Sequence, residues 1–187
     1  MNEQAFILLL QQGDQQAFRQ LVEQWQHMVY NTVLGFVQDT AEAEDLAQEV
    51  FIQAFQSIQQ FRAESKLSTW LYRIAVTKAL DAERKKKAKK RMNHMRAWLG
   101  MEEKEQTPTV FYHPGVQLDN REKAAMLFRA LRSLPPNQRA AFVLIKTEGL
   151  SYEDVAGIMK LSIKAVEALM HRAKENLRKQ LDNYFHQ

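Results

Sequence analysis

Residues 151–181 read SYEDVAGIMKLSIKAVEALMHRAKENLRKQL, and the spacing of their apolar side chains sets the fold class. Ser151 suits an N-cap, and Val155, Ala156, Ile158 and Met159 then share one face of a short helix. After a tight turn at residues 160–162, Ile163, Val166, Leu169, Met170, Ala173, Leu177 and Leu181 share one face of a longer helix. Two such helices of about eight and about twenty residues make a helix-turn-helix candidate, although any helical hairpin produces similar spacing. Six glycines and four prolines punctuate the whole chain of 187 residues, so strands have almost nowhere to turn and the expected fold is all-α.

The helical period extends upstream. It covers 121–133, stops at Pro135 and Pro136, and resumes through Phe142, Val143 and Ile145 to Gly149, a good residue to follow a helix end. At the other end of the chain, 2–12 reads as a short helix ended by Gly13. Residues 15–37 carry a buried stripe that includes Ala17, Phe18, Leu21, Val22, Trp25, Met28, Val29, Thr32, Val33 and Phe36. Asp39 with Glu42 three positions later forms a capping-box arrangement, and Leu46, Val50, Ala54, Phe55 and Ile58 form the next apolar face. A polar loop at 61–67 breaks the pattern. Ser68 suits the next N-cap, with Trp70, Leu71, Ile74 and Ala75 facing a core, and that helix runs out into Arg84, Lys85, Lys86, Lys87, Lys89, Lys90 and Arg91. Between 92 and 120 no long period survives, though Met95, Trp98 and Leu99 suit a short helix, and Pro108, Pro114 and Gly115 mark a linker. The expected organisation is two small helical domains, 1–91 and 121–187, joined by a flexible linker at 92–120.

Composition excludes several classes. There is no cysteine, hence no disulfide framework and no thiolate metal site. The longest early apolar run, Ala5 to Leu10, is far short of the roughly 20 residues that span a bilayer, and no basic region precedes it as in a signal peptide. The chain therefore reads as soluble and cytoplasmic, with no membrane insertion. The histidines at 27, 94, 113, 171 and 186 lack metal-ligand spacing, no glycine-rich phosphate loop occurs, and Glu44 and Asp45 point in different directions as helix neighbours. No catalytic residue, metal or cofactor is expected.

Charge then points to partners. Residues 1–60 hold eight acidic side chains and one basic, whereas 62–96 hold twelve basic and three acidic. An acidic helical surface suits a basic protein, and a basic segment suits a phosphate backbone. On the helix beginning near Thr40, Asp45, Gln48, Glu49, Ile52 and Gln53 share the face opposite the apolar stripe, a pattern fit for a partner helix presenting arginines and equally found on plain solvated faces. The loop Arg62, Ala63, Glu64, Ser65, Lys66 is placed to form a pocket for a base drawn out of a duplex, with Tyr72, Arg73 and Lys78 nearby. Trp70 and Phe61 suit either core or stacking. On the last helix, Lys164, Glu167, Ala168, His171, Arg172, Lys174 and Glu175 lie outside, where Arg172 suits guanine or phosphate and Lys164, Lys174, Arg178 and Lys179 suit phosphates.

Three motifs, AEDLAQEVF at 43–51, FR at 61–62 followed by STWLYRIA at 68–75, and LP at 134–135 through GLSYEDVA at 149–156 to HRAK at 171–174, together resemble the extracytoplasmic-function class of bacterial sigma factors. The resemblance implies a subunit that binds core RNA polymerase, directs it to promoters and promotes DNA opening. It implies that Asp45, Gln48, Glu49 and Ile52 bind the clamp helices of the largest polymerase subunit. The loop 62–66 would capture a base of the minus 10 element, with Lys78, Asp81 and Arg84 against the DNA just upstream. The second domain would meet the polymerase flap and read the minus 35 element through Lys164, Glu167, Ala168, His171, Arg172 and Lys174, while the linker threads toward the catalytic centre. An anti-sigma partner is implied as well. Many members carry glycine, threonine, valine and a basic residue where this chain has Lys164, Ala165, Val166 and Glu167, and a carboxylate there can accept from cytosine N4. Two rivals keep their tests: a dimeric helix-turn-helix regulator would bind duplex tightly without polymerase, and a nucleic-acid-processing enzyme would show turnover dependent on Asp45 or Glu49.

Overall fold

A computed structural model describes residues 2–99 and 118–185, with side chains described for 2–99 and 126–182. Every regular element among them is helical: α1 (Glu3–Gln11), α2 (Gln15–Val37), α3 (Thr40–Ser57), α4 (Leu67–Trp98), α5 (Leu118–Ser133), α6 (Pro136–Phe142), α7 (Tyr152–Met159) and α8 (Ile163–Phe185). A short 3-10 turn at Ile58–Gln60 ends α3, and a π-helical turn at Val143–Thr147 ends α6.

Local chemistry fixes most starts. Asp14 Oδ1 accepts the Ala17 N–H at 2.7 Å, Asp39 Oδ1 accepts the Glu42 N–H at 2.9 Å, and Ser151 Oγ accepts the Asp154 N–H at 3.1 Å. Helix α4 departs from expectation at both ends. It begins at Leu67, so Ser68 is not its cap; the Leu67 N–H is satisfied at 3.0 Å by Glu3 Oε1, 64 positions away on α1. It also continues through Arg91 to Trp98 as one helix of 32 residues, so the first seven residues read as linker are helical. At the far end of that reading 118–120 are helical as well, opening α5, and 100–117 lie outside the described residues.

Helices α2, α3 and α4 pack around Leu21, Val29, Val33, Phe36, Leu46, Val50, Leu67, Leu71 and Ala75, all buried. Phe55 and Ile163, expected inside, are 54% and 45% exposed. Phe55 instead stacks edge-on against Phe18 at 5.1 Å on the outer side of α2. Helices α5 and α8 enclose a smaller cluster of Ala130, Leu131, Leu134, Ala173 and Leu177.

The two helical domains do not stand apart. Ala140, Ala141, Val143, Leu144, Val155, Ala156, Ile158, Val166 and Met170 from the second continue the core of the first. The close approach occurs at Gly35 of α2, where a Cβ would lie 2.8 Å from Val143 Cγ1, so a larger residue has no room without a shift. Polar bonds surround this contact. Arg132 Nη2 donates to the Val37 carbonyl at 3.3 Å, Tyr72 Oη to Glu148 Oε2 at 3.2 Å and Arg73 Nε to the Gly157 carbonyl at 3.1 Å, while Arg139 pairs with Glu83.

Candidate functional site

Three surfaces carry the residues singled out above. On α3, Asp45, Gln48, Glu49 and Ile52 are exposed together, on the side away from buried Ala43, Leu46, Val50 and Ala54. Ile52 is 56% exposed, a large apolar side chain set among carboxylates and an amide. Glu49 Oε2 accepts from Lys78 Nζ at 3.0 Å and Glu42 Oε2 from Lys86 Nζ at 2.8 Å, so the acidic helix is bridged to the basic one. Each pair joins one exposed and one half-buried side chain and contributes about 0 to 1 kcal/mol. Their main effect is to set the directions of Lys78 and Glu49.

The loop 62–66 is short and held at both stems. On its entry side Phe61 is buried, and its ring packs on Trp70 with centroids 5.0 Å apart, which settles both aromatics as support rather than free stacking platforms. Gln11 Nε2 donates to the Phe61 carbonyl at 2.8 Å. On its exit side Glu3 holds the Leu67 N–H. Between these pins Ala63 adopts φ +54, a left-handed conformation that is unfavourable for a residue with a Cβ and that turns the chain sharply. Arg62, Ala63, Glu64 and Lys66 are exposed there and Ser65 half-buried. Glu3 and Gln11 were invisible as functional residues in the sequence, because a pin made across some 50 or 60 positions leaves no local signature.

Beyond the loop, Lys78 and Asp81 are half-buried and Arg84 is exposed, with Arg84 Nη2 donating to Asp81 Oδ1 at 2.5 Å. Lys78 and Asp81 line a cleft of about 900 Å³ with Trp70, Arg73 and Thr77 on one wall and Ile158 to Leu161 of the second domain on the other. Burial also acts on ionisable groups where the domains meet. It pushes the Tyr72 phenol and the Glu148 carboxyl above their usual ranges and pulls the Arg139 guanidinium down, the last against the attraction of Glu83.

On α8, Lys164, Glu167, His171, Arg172 and Lys174 are exposed along one side and Ala168 is half-buried between them. Val166 and Met170, buried against α7 and α6, orient that side outward. Arg172 Nε donates to the Ala168 carbonyl of its own helix at 3.2 Å, and His171 Nδ1 lies 3.7 Å from Glu175. Lys160, at φ +54, closes the turn between α7 and α8.

Residues 21–89 match the sigma-70 region 2 family and residues 124–177 the sigma-70 region 4 family. The chain is 33% identical to the RNA polymerase sigma-H factor of Pseudomonas aeruginosa, over 96% of this chain and 93% of that protein. It is also 33% identical to the ECF RNA polymerase sigma-E factor of Escherichia coli K12, over 94% of this chain and 92% of that one. The chain belongs to the extracytoplasmic-function sigma factors. As a sigma factor it is a DNA-binding transcription initiation subunit that directs RNA polymerase to promoters. Its fold is shared with CnrH, solved in complex with the cytosolic domain of CnrY, at a TM-score of 0.69, 23% identity and 97% coverage of each chain. In sigma factor terms α2, α3 and most of α4 form region 2, and α5 to α8 carry region 4. No helix among the described residues is long and apolar enough to cross a membrane.

Proposed function

We propose that this sigma factor grips the clamp helices of the largest polymerase subunit with Asp45, Gln48, Glu49 and Ile52. The loop 62–66 then captures an extruded base of the minus 10 element, and Lys78, Asp81 and Arg84 lie along the duplex upstream. Lys164, Glu167, Ala168, His171, Arg172 and Lys174 face the minus 35 element while region 4 rests on the polymerase flap. The protein performs no chemistry of its own, acts in the cytoplasm and is restrained by an anti-sigma protein. Boundaries at 1–91, 92–120 and 121–187 serve as the functional division of the chain.

One observation carries this reading: Ile52 stands out of α3, ringed by acidic and amide side chains, while Ala43, Leu46, Val50 and Ala54 on the opposite side of the helix are buried. An exposed apolar group amid charges gains most from a partner that covers the first and pairs the second. Linking two modest DNA contacts through one polymerase raises effective concentration, so neither region need bind tightly alone.

The test reverses charge at that face. Asp45→Arg is expected to weaken capture by core polymerase about tenfold or more, equivalent to about 1.4 kcal/mol, with unchanged helical content by circular dichroism. Wild-type affinity in the variant would remove α3 from the interface.

A further inference from the structure

We infer that the end of α4, from Arg84 to its cap residue Leu99, is an interfacial helix that lies flat on an anionic lipid bilayer. Met92, Met95 and Leu99 enter the boundary between headgroups and acyl chains, and the lysines and arginines beside them meet lipid phosphates. The apolar part of this surface belongs to neither matched segment, since region 2 ends at 89 and region 4 begins at 124. It adds a partner that the promoter reading does not contain.

The charge of this stretch is one-sided. Residues 84–99 hold eight basic side chains and no acidic one. At about 100° per residue, Ala88, Met92, Met95 and Leu99 fall into one stripe about 60° wide. Lys85, Lys89 and Arg96 border it on one side, and Lys87 and Arg91 on the other. Cations on both margins of an apolar stripe match an anionic surface, which pairs the margins while hydrocarbon takes the stripe.

The fold leaves the stripe open. Met92, Met95 and Leu99 are 53%, 58% and 61% exposed, and Trp98 is 85% exposed. Every residue from Arg84 to Leu99 except half-buried Asn93 is exposed, so a flat surface can meet about 22 Å of helix with little packing to break. The root is also held with the stripe turned outward. Lys86, nearly opposite the stripe around the helix, pairs with Glu42 of α3 at 2.8 Å.

Trp98 discriminates among occupants. It stands about 90° round the helix from the centre of the stripe, beside Arg91. A second helix seated on the stripe would leave that ring in water, whereas a bilayer places it in the headgroup layer, where tryptophan concentrates. A second copy of the chain would also set Lys89, Arg91 and Arg96 against like charges across the seam. A duplex would pair the cations and leave the methionines and Leu99 bare. An interfacial helix has no need of the length or apolarity that crossing a membrane requires.

Co-sedimentation of the full chain with unilamellar vesicles tests the inference without polymerase. Vesicles of equal parts phosphatidylglycerol and phosphatidylcholine are expected to carry the chain down, and phosphatidylcholine alone to leave it in solution. Met95→Gln with Leu99→Gln keeps every charge and suits a helix, and should raise the half-saturating lipid concentration about tenfold or more. Leu8→Gln, at a 58% exposed apolar residue on α1, should leave it unchanged. Lys89→Gln with Arg91→Gln should also raise it, and the chain's fluorescence should shift to the blue on vesicles except in Trp98→Phe. Equal capture of wild type and Met95→Gln/Leu99→Gln would reduce the contact to charge alone and overturn the interfacial helix. A dimer that the same pair of substitutions dissociates would assign the stripe to a second copy, and a loss of affinity for a DNA duplex in that variant would assign it to nucleic acid; either result overturns the inference while leaving the promoter reading in place.

Discussion

The two regions proposed to face DNA are held in opposite ways. The loop at 62–66 depends on residues far off in sequence: Glu3 and Gln11 pin its stems, and the Phe61 and Trp70 rings fill the space beneath. The exposed side of α8 takes its outward direction from Val166 and Met170 packed on α7 and α6, but the array itself comes from its own helix, with Arg172 bonded to Ala168 and His171 near Glu175. A helix supplies a rigid array of side chains from backbone periodicity alone, whereas an irregular loop has no such order and must borrow it from its surroundings. Base capture needs a shaped pocket and groove contact needs a regular rail, so the two proposed roles each match the support their region has.

The comparison can be broken most sharply at Arg172. Arg172→Ala is expected to cost about 1 to 3 kcal/mol at the minus 35 element with little change in melting temperature, since the side chain is exposed and bonds within its own helix. Equal transcription from promoters with and without that element, before and after substitution, would detach α8 from its assigned role.

A smaller effect with the reverse signature is expected at the loop. Glu3→Ala touches no DNA, yet it frees the Leu67 N–H and should cost about 1 kcal/mol of stability together with a selective loss of minus 10 discrimination. Permanganate footprinting of the opened bases would read the second effect. Loss of stability with wild-type opening would show that the loop keeps its shape without the pin.

The smallest effect concerns the seam between the regions. Burial raises the Glu148 carboxyl above its usual range, with Tyr72 from α4 and Thr32 from α2 against it. A raised value means that docking draws its full contribution from this group below the ordinary carboxylate range and loses it as pH climbs through the raised value. Glu148→Gln keeps an acceptor for Tyr72 and removes the charge, so it should flatten that dependence and hold region 4 slightly more firmly near neutrality. Distances between spin labels at Gln20→Cys on α2 and Lys179→Cys on α8, followed from pH 5 to pH 8, would detect it, and identical profiles for the two proteins would refute it.

What the sequence showed follows from how far each signal travels. Helix α2 was legible from its start at Gln15 to about its end because its stripe and the flanking glycine are local, and Asp39 and Ser151 declared themselves as caps within four positions. Periodicity could not tell that Phe55 and Ile163 lie at the open margins of their stripes, because covering them depends on a neighbour's length. The start of α4 was misplaced at Ser68 since its true cap lies on α1. Docking left the faintest trace: Gly35 is an unremarkable glycine inside a helix, and Arg139 reads as a surface cation until Glu83 meets it.

The basic end of α4 has a consequence of its own. Lys85 and Lys89, Lys86 and Lys90, and Lys87 and Arg91 stand one turn apart with like charge, each such pair opposing the helix by about 0.2 to 0.5 kcal/mol. That end is exposed from Arg84 to Ala88 and beyond, so little tertiary packing compensates. Its winding is therefore an electrometer: ellipticity should climb as sodium chloride or a polyanion neutralises the lysines, and the last turns tighten in proportion to the negative charge laid against them.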